Sequence, residues 1–418
     1  MRNNSDRAGS AGAQSWRKKI ALIIIGLGIG LLVVEVGLRL IGYSYPEFYV
    51  ADARRGYSLR PNMEGWYRKE GEAYVRINSF GLRDREHAIQ KAPNTFRIAI
   101  LGDSFVEALQ VPFEQSFCYV VEQQLRNCPA MAGRDIEVIN FGVSGYSTAQ
   151  ELITLRNEAW RFSPDLVVLA VTTNNDISDN SRELKKTDQI PYFVWRDDKL
   201  VEDDSFLQTR SFRSKNAWLG PTGRWFRDHL RFVQAIQQAA FAIRVMRAER
   251  AASQPNRNEK AQTASQESPT ADELGVDNLV YREPAEAVWR DAWRVTEALI
   301  KTMRDEVEAR GAKFLVITLS NPPQVLPAPA ARAAFLQRVA ATDIFYPDSR
   351  IAQFCQREGI SAATLAPPMQ QYAQQNNMML HGFGKDIGNG HWNVAGHRIA
   401  GQLAAAEICK LVSNRRDQ

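Results

Sequence analysis

Arg97-Ile98-Ala99-Ile100-Leu101-Gly102-Asp103-Ser104-Phe105 decides how this chain is read. Residues 97 to 101 are short, apolar and rich in β-branched side chains, the pattern of a buried strand. The run stops at a glycine and an acid, a serine follows, and a helical pattern begins near Glu114. A serine just past the C-terminal end of a strand stands where open α/β sheets hold their ligands. Its hydroxyl is presented at a sharp turn between backbone N–H groups, as a nucleophile requires. A lone Gly-Asp-Ser is also an ordinary turn, so the rest of the chain has to decide.

Working outward, the strand pattern repeats. Ile136 to Ile139 runs into Asn140-Phe141-Gly142-Val143-Ser144-Gly145, and Leu166 to Val171 runs into Thr172-Thr173-Asn174-Asn175-Asp176. Pro284 to Arg310 has helical periodicity, Lys313 to Leu319 reads as another buried strand, and Pro347 to Gly359 as a helix. Ser361 to Leu365 is a short strand, and Asn393 to Ser413 closes the chain as a helix. Such alternation predicts a parallel sheet flanked by helices.

The three strand-end blocks, followed by Gly390-His391-Trp392-Asn393, resemble the four ordered blocks of the SGNH (GDSL-type) hydrolases, in their membrane-anchored bacterial branch. The resemblance spans about residues 95 to 411, with a long unmatched interruption. It implies an α/β fold, a flavodoxin-like three-layer sandwich with a central parallel sheet. It also implies a serine esterase that needs no cofactor. Ser104 would be the nucleophile and His391 the base that takes its proton and returns it to the leaving alcohol. The oxyanion donors would be the Ser104 N–H, the Gly145 N–H and the Asn175 side-chain amide. Gly142 competes with Gly145, and Asn175 is preferred to Asn174 because Asp176 follows it. Thr173 stands where the family has glycine, a departure that would narrow the site. Ser144 does not lie in a Gly-x-Ser-x-Gly elbow. Ser147 and Thr148 read as N-cap candidates for the next helix.

The last block departs further. Family members hold an aspartate two or three residues before the histidine, and here those positions are Asn389 and Gly388. Asp386, five residues upstream, is the nearest carboxylate and the candidate third member of the triad. The alternatives are a solvated Asp386 with a backbone carbonyl or Asn389 orienting His391. His397 reads as a helix-face residue and His381 as part of a rim loop.

Residues 1 to 19 form a basic tail, in which Arg2, Arg7, Arg17, Lys18 and Lys19 against Asp6 account for four of the net charge of +5. The remainder is near neutral, which argues against a nucleic-acid surface. Residues 20 to 43 are nearly all apolar and would span about 36 Å as a helix, enough to cross a bilayer. The preceding cations keep the N-terminus inside, so the catalytic part is expected on the periplasmic side of the inner membrane. The run is long for a signal peptide and ends without an Ala-x-Ala-like site, which favours an uncleaved single-pass anchor. Glu35 and Arg39, at i and i+4, would pair near its outer end.

Residues 44 to 95 are an extracytoplasmic lead-in with edge strands, in which Tyr74 to Ile77 alternates and runs into Asn78-Ser79-Phe80-Gly81-Leu82-Arg83-Asp84. That element also recurs before the serine block in membrane-anchored relatives, with Arg83 a minor candidate for a substrate contact. The hydrolase domain, 96 to 413, is interrupted by an insertion at 178 to 282. In it Tyr192 to Val201 forms a hairpin, Gly223 to Arg250 is helical, and 251 to 277 is polar and expected to be disordered. Leaving the sheet beside Asn175, the insertion is expected to lid the site, with Trp218, Trp225 and Phe232 as helix contacts. Cys118 and Cys128 are placed too far apart to bridge, and a Cys355–Cys409 pair is left open. No Cys/His cluster has metal-ligand spacing.

The reaction expected is hydrolysis of O-acyl esters, short-chain ones, on a glycan or envelope component. One alternative is a polysaccharide O-acetyltransferase, whose sites resemble His391-Trp392-Asn393. The other is a catalytically weakened glycan-binding or assembly protein, motivated by the missing acid.

Overall fold

Strand Leu166–Thr172 sends Val167, Leu169 and Val171 into one apolar core, and Leu166, Val168 and Ala170 into another. A strand buried on both faces needs helices on both sides of its sheet. The computed structural model, which describes residues 6–215, 219–252 and 276–413, has that arrangement. In chain order the strands are β1 (Tyr49–Asp52), β2 (Gly56–Leu59), β3 (Glu64–Tyr67), β4 (Ala73–Arg76), β5 (Thr95–Leu101), β6 (Asp135–Asn140), β7 (Leu166–Thr172), β8 (Tyr192–Arg196), β9 (Lys199–Asp203), β10 (Lys313–Leu319) and β11 (Ala362–Thr364).

The central sheet runs β11-β10-β7-β5-β6 and every pairing in it is parallel. Taken along the chain this is the 2-1-3-4-5 order of flavodoxin-like folds. Helices Thr148–Asn157, Ala287–Ala309 and Tyr346–Arg357 bury side chains in the first core. Helices Phe117–Leu125, Ala366–Asn376 and Val394–Ser413 do so in the second. The chain is therefore the three-layer α/β sandwich expected. Strand order reverses between β5 and β7, and the crevice outside their carboxyl ends is the place such sheets offer a ligand.

Several local expectations are corrected. The lead-in strands are not edges of the central sheet, since β1–β2 and β3–β4 form two antiparallel hairpins of their own. They dock by apolar burial, with Leu59, Val75 and Ile77 packed on Leu109, Val143 and Tyr146. Arg83 is fully buried and donates to the Val111 carbonyl at 2.6 Å, so it is structural. Cys128 pairs with Cys409, 281 residues away, while Cys118 and Cys355 are buried and free. Spacing alone could not reveal this pair, because the closing helix returns beside Pro129–Met131 only in three dimensions. The Cys128→Ala/Cys409→Ala double variant is expected to lose about 2–5 kcal/mol of stability. Its unfolding midpoint in detergent should fall below the wild-type value, and equal midpoints would count against a stabilising bridge.

The chain divides into two compact units. One holds the N-terminal helix Asp6–Leu40 together with helices Leu219–His229 and Arg231–Ala252; the other holds everything described from Phe48 onward apart from those helices. The insertion is thus split. Its hairpin β8–β9 packs on the first core through Phe193, Trp195 and Leu200, while its helices contact the N-terminal helix. This replaces the single lid expected from the sequence. Most of the stretch 251–277, read as disordered, lies outside the described residues, as does Trp218. Residues 18–40 form one helix long and apolar enough to cross a membrane, and Glu35 pairs with Arg39 at 2.7 Å.

Candidate active site

Ser104 opens the short helix Ser104–Glu107 directly after β5, capped by Asp103, whose carboxylate accepts the Phe105 N–H at 3.0 Å. His391 lies in the loop before helix Val394–Ser413. That loop is held by a bridge between His381 and Trp392 and by the Gly382 N–H donating to the His391 carbonyl at 2.8 Å. His391 Nε2 stands 2.8 Å from Ser104 Oγ. The nucleophile and base expected from the sequence are therefore in hydrogen-bond contact, although 287 residues apart.

The third group is not Asp386. Asp386 is exposed in the turn Gly384–Asp386, and Asn389 is exposed beside it. The carboxylate on His391 is Glu70, from the tip of the β3–β4 hairpin. It accepts from His391 Nδ1 in a very short contact and from the His391 backbone N–H at 2.7 Å. One residue thus fixes both the ring and the loop that carries it. Gly390 makes room, since at φ +78° a Cβ there would sit 2.3 Å from Glu70 Oε1. Gly71 does the same on the other side, where a Cβ would meet the Gln110 carbonyl at 2.3 Å. The hairpin tip is fitted to the domain on both flanks.

Electrostatics agree with the geometry. Burial would raise the Glu70 carboxyl, but its two bonds from His391 hold it below the usual carboxylate range. Burial would likewise lower His391, but Glu70 keeps it above the usual histidine value. His381 is buried behind the loop, its Nδ1–H donating to the Gly390 carbonyl at 2.8 Å and its Nε2 accepting from Ser320 Oγ at 3.2 Å. Desolvation pushes it down to about 3, so it is neutral and holds the loop rather than lining a rim. His397 is also buried and kept neutral, packed on the Trp392 ring.

The three groups expected as oxyanion donors follow the ends of β5, β6 and β7. Asn175, after β7, gives one amide hydrogen to Asp103 at 3.1 Å, leaving the other for substrate. Asp103 is itself held by Thr172 Oγ1 at 3.0 Å, so the Gly-Asp-Ser acid positions the asparagine. Between the two candidate glycines the structure chooses. Gly142 N–H is already bound to Asn140 Oδ1 at 2.9 Å, whereas Gly145 adopts φ +76° with Tyr57 Oη against it. Tyr57 also donates to the Ser144 carbonyl at 2.8 Å, which fixes the peptide whose N–H belongs to Gly145. Ser144 instead donates to buried Glu107. Thr173 is buried with its hydroxyl bound by Asn321 at 2.9 Å.

The Ser-His-Glu array with these donors can activate a hydroxyl, stabilise a tetrahedral oxyanion and protonate a leaving alcohol. Among the described residues no group of three or more His, Cys, Asp or Glu side chains has the geometry to hold a metal ion. Asn175→Ala is expected to lower kcat about a hundredfold by removing one oxyanion donor, with KM changed much less. An unchanged kcat in the folded variant would remove Asn175 from the site.

No protein-family model and no curated protein matches this chain. Solved structures similar to it include a lipolytic protein assigned to the G-D-S-L family from Desulfitobacterium hafniense DCB-2, at 11% identity, covering 74% of this chain and 98% of that one, with a TM-score of 0.33. The lipase/acylhydrolase from Enterococcus faecalis is similar at 12% identity, over 77% and 96% of the two chains, with a TM-score of 0.33. Axe2, an acetylxylan esterase from Geobacillus stearothermophilus, is similar at 11% identity, over 75% and 94%, with a TM-score of 0.35. These likenesses are distant, and the chemistry of the site rests on its own residues.

Proposed function

We propose that this chain is a membrane-anchored serine esterase of the SGNH type, hydrolysing short O-acyl esters on a glycan or envelope component. The carrying observation is the unbroken relay Ser104 Oγ to His391 Nε2 to Glu70, with the Asn175 amide bound to Asp103, the residue before the nucleophile. Water is the simplest acyl acceptor for such a site. The reading as a catalytically weakened binding protein was motivated by a missing acid, and Glu70 supplies one.

The compartment rests on two features. The apolar helix Lys18–Leu40 follows a cationic tail, which favours a cytoplasmic N-terminus and an exported body. The Cys128–Cys409 pair belongs in an oxidising space. An exported, tethered esterase meets acylated envelope polymers, which is the reason for that substrate class. A reporter fused after Gln418 should behave as exported; a reporter active in the cytoplasm would overturn the orientation.

The O-acetyltransferase reading keeps His391-Trp392-Asn393 in its favour. A single assay separates the two. The purified chain should release free acid from p-nitrophenyl acetate at a rate unaffected by added oligosaccharide. Slow release alone, with mass-spectrometric transfer of acetyl to the sugar when it is added, would make the protein a transferase.

A further inference from the structure

Glu35 is a buried acid near the outer end of an otherwise outward-facing apolar helix. One of its oxygens takes the Arg39 guanidinium and the other accepts the Phe232 N–H at 3.1 Å. Arg39 also donates to the His229 carbonyl at 2.6 Å. The break between helices Leu219–His229 and Arg231–Ala252 is therefore clasped onto the last turns of the N-terminal helix. Tyr45 N–H to Gln234 Oε1 at 2.9 Å and Arg227 to Glu47 at 3.0 Å extend the clasp just beyond it. These contacts set the level of the two insertion helices at the place where an apolar span ends.

What those helices expose is apolar. Trp225 and Phe226 are 53% and 45% exposed, and Trp225 stacks on His229 rather than on a core. On the following helix Ile236 (64% exposed), Ala239, Ile243 and Met246 recur every three or four residues, which places them on one open face. The two helices also carry six arginines against two acids, Asp228 and Glu249. Exposed aromatics, a row of exposed apolar side chains and excess cations are features of elements that rest in a lipid interface, most marked here in the amphipathic helix Leu219–His229. In water a face of this kind is a liability. Here it is carried by helices clasped to an apolar helix whose own side chains also face outward.

We propose that helices Leu219–His229 and Arg231–Ala252 form a foot in the outer headgroup–acyl boundary of the membrane that Lys18–Leu40 crosses. Trp225, Phe226, Ile236, Ile243 and Met246 are immersed, and Arg224 and Arg247 meet anionic headgroups. This rests on the reading of Lys18–Leu40 as a span, and the test keeps the two apart.

The test uses the full chain with Cys118→Ala and Cys355→Ala, the Cys128–Cys409 bridge kept, and one added cysteine at Trp225, Ile243, Leu32 (inside the span) or Asp198 (the exposed tip of β8–β9), each labelled with the fluorophore NBD. The variants are reconstituted in phosphatidylcholine–phosphatidylglycerol vesicles with and without brominated acyl chains. Labels at 225 and 243 should emit blue-shifted and lose intensity to bromine nearly as strongly as the label at 32, with 198 unaffected. Quenching at 32 but not at 225 or 243 would overturn the foot and leave the anchor. No quenching at 32 would overturn both. Blue-shifted 225 and 243 labels that ignore bromine but transfer energy between copies would assign the face to a second chain and refute the proposal.

Discussion

Ser104→Ala is expected to abolish ester hydrolysis, lowering kcat on the order of 10⁵-fold or more while the protein stays folded. The size follows from what the hydroxyl does. In the proposed mechanism it is the atom that bonds to the acyl carbon, and neither Ser144, turned to Glu107, nor Thr173, bound by Asn321, is placed to replace it. The fold should tolerate the change, since the hydroxyl of Ser104 bonds to the partly exposed His391 ring and the lost atom leaves no buried partner stranded in a core. His391→Ala should cost about as much, and the double variant little more, because serine and histidine act as one unit. A fluorophosphonate should label wild type and not Ser104→Ala. Near-normal turnover by purified Ser104→Ala would remove the nucleophile from the proposed mechanism.

The parts of this site that sequence could reveal are those fixed by local pattern. Leu166 to Val171 and Phe314 to Ile317 are continuous apolar runs rich in β-branched residues, as strands covered on both faces require, so the sheet and its strand ends were readable. Ser104, Gly145 and Asn175 each follow such an end within a few residues, and their register came with the strands. Glu70 had no such register. It lies 321 residues from His391, in Arg68-Lys69-Glu70-Gly71-Glu72, a charged hairpin tip that reads as solvated. Glu72 and Glu64 are equally plausible by composition. What selects Glu70 is the apolar docking of Val75 and Ile77 and the gaps left by Gly71 and Gly390, none of which is a local property. The available signal was negative: Gly388 and Asn389 cannot serve as acids, so a carboxylate had to come from elsewhere. The split insertion was hidden for a similar reason, because Glu35 finds the Phe232 N–H only in three dimensions.

Glu70→Gln is expected to lower kcat about 10³- to 10⁴-fold, the scale of losing the acid that fixes a catalytic histidine's tautomer. A glutamine amide can still touch the ring, but it does not stabilise the imidazolium formed as Ser104 attacks. The pH dependence gives the sharper readout. His391 must be neutral to accept the serine proton, so activity rises with pH through its pKa. Glu70 raises that pKa above the usual value, whereas burial acts to lower it. Removing the charge takes away the largest influence opposing burial, with only the more distant Asp103 and Glu107 still acting in the same sense, so the acid limb of the kcat/KM profile should move to lower pH even as the plateau falls. A merely structural defect would lower the plateau without moving the limb. Asp386→Asn should leave both within about twofold, since the residue is exposed and removed from the ring. Glu70→Asp should recover part of the activity, limited by a side chain one methylene too short. A loss on Asp386→Asn matching that on Glu70→Gln, or an acid limb unmoved in Glu70→Gln, would return the search for the third catalytic group to the His391 loop.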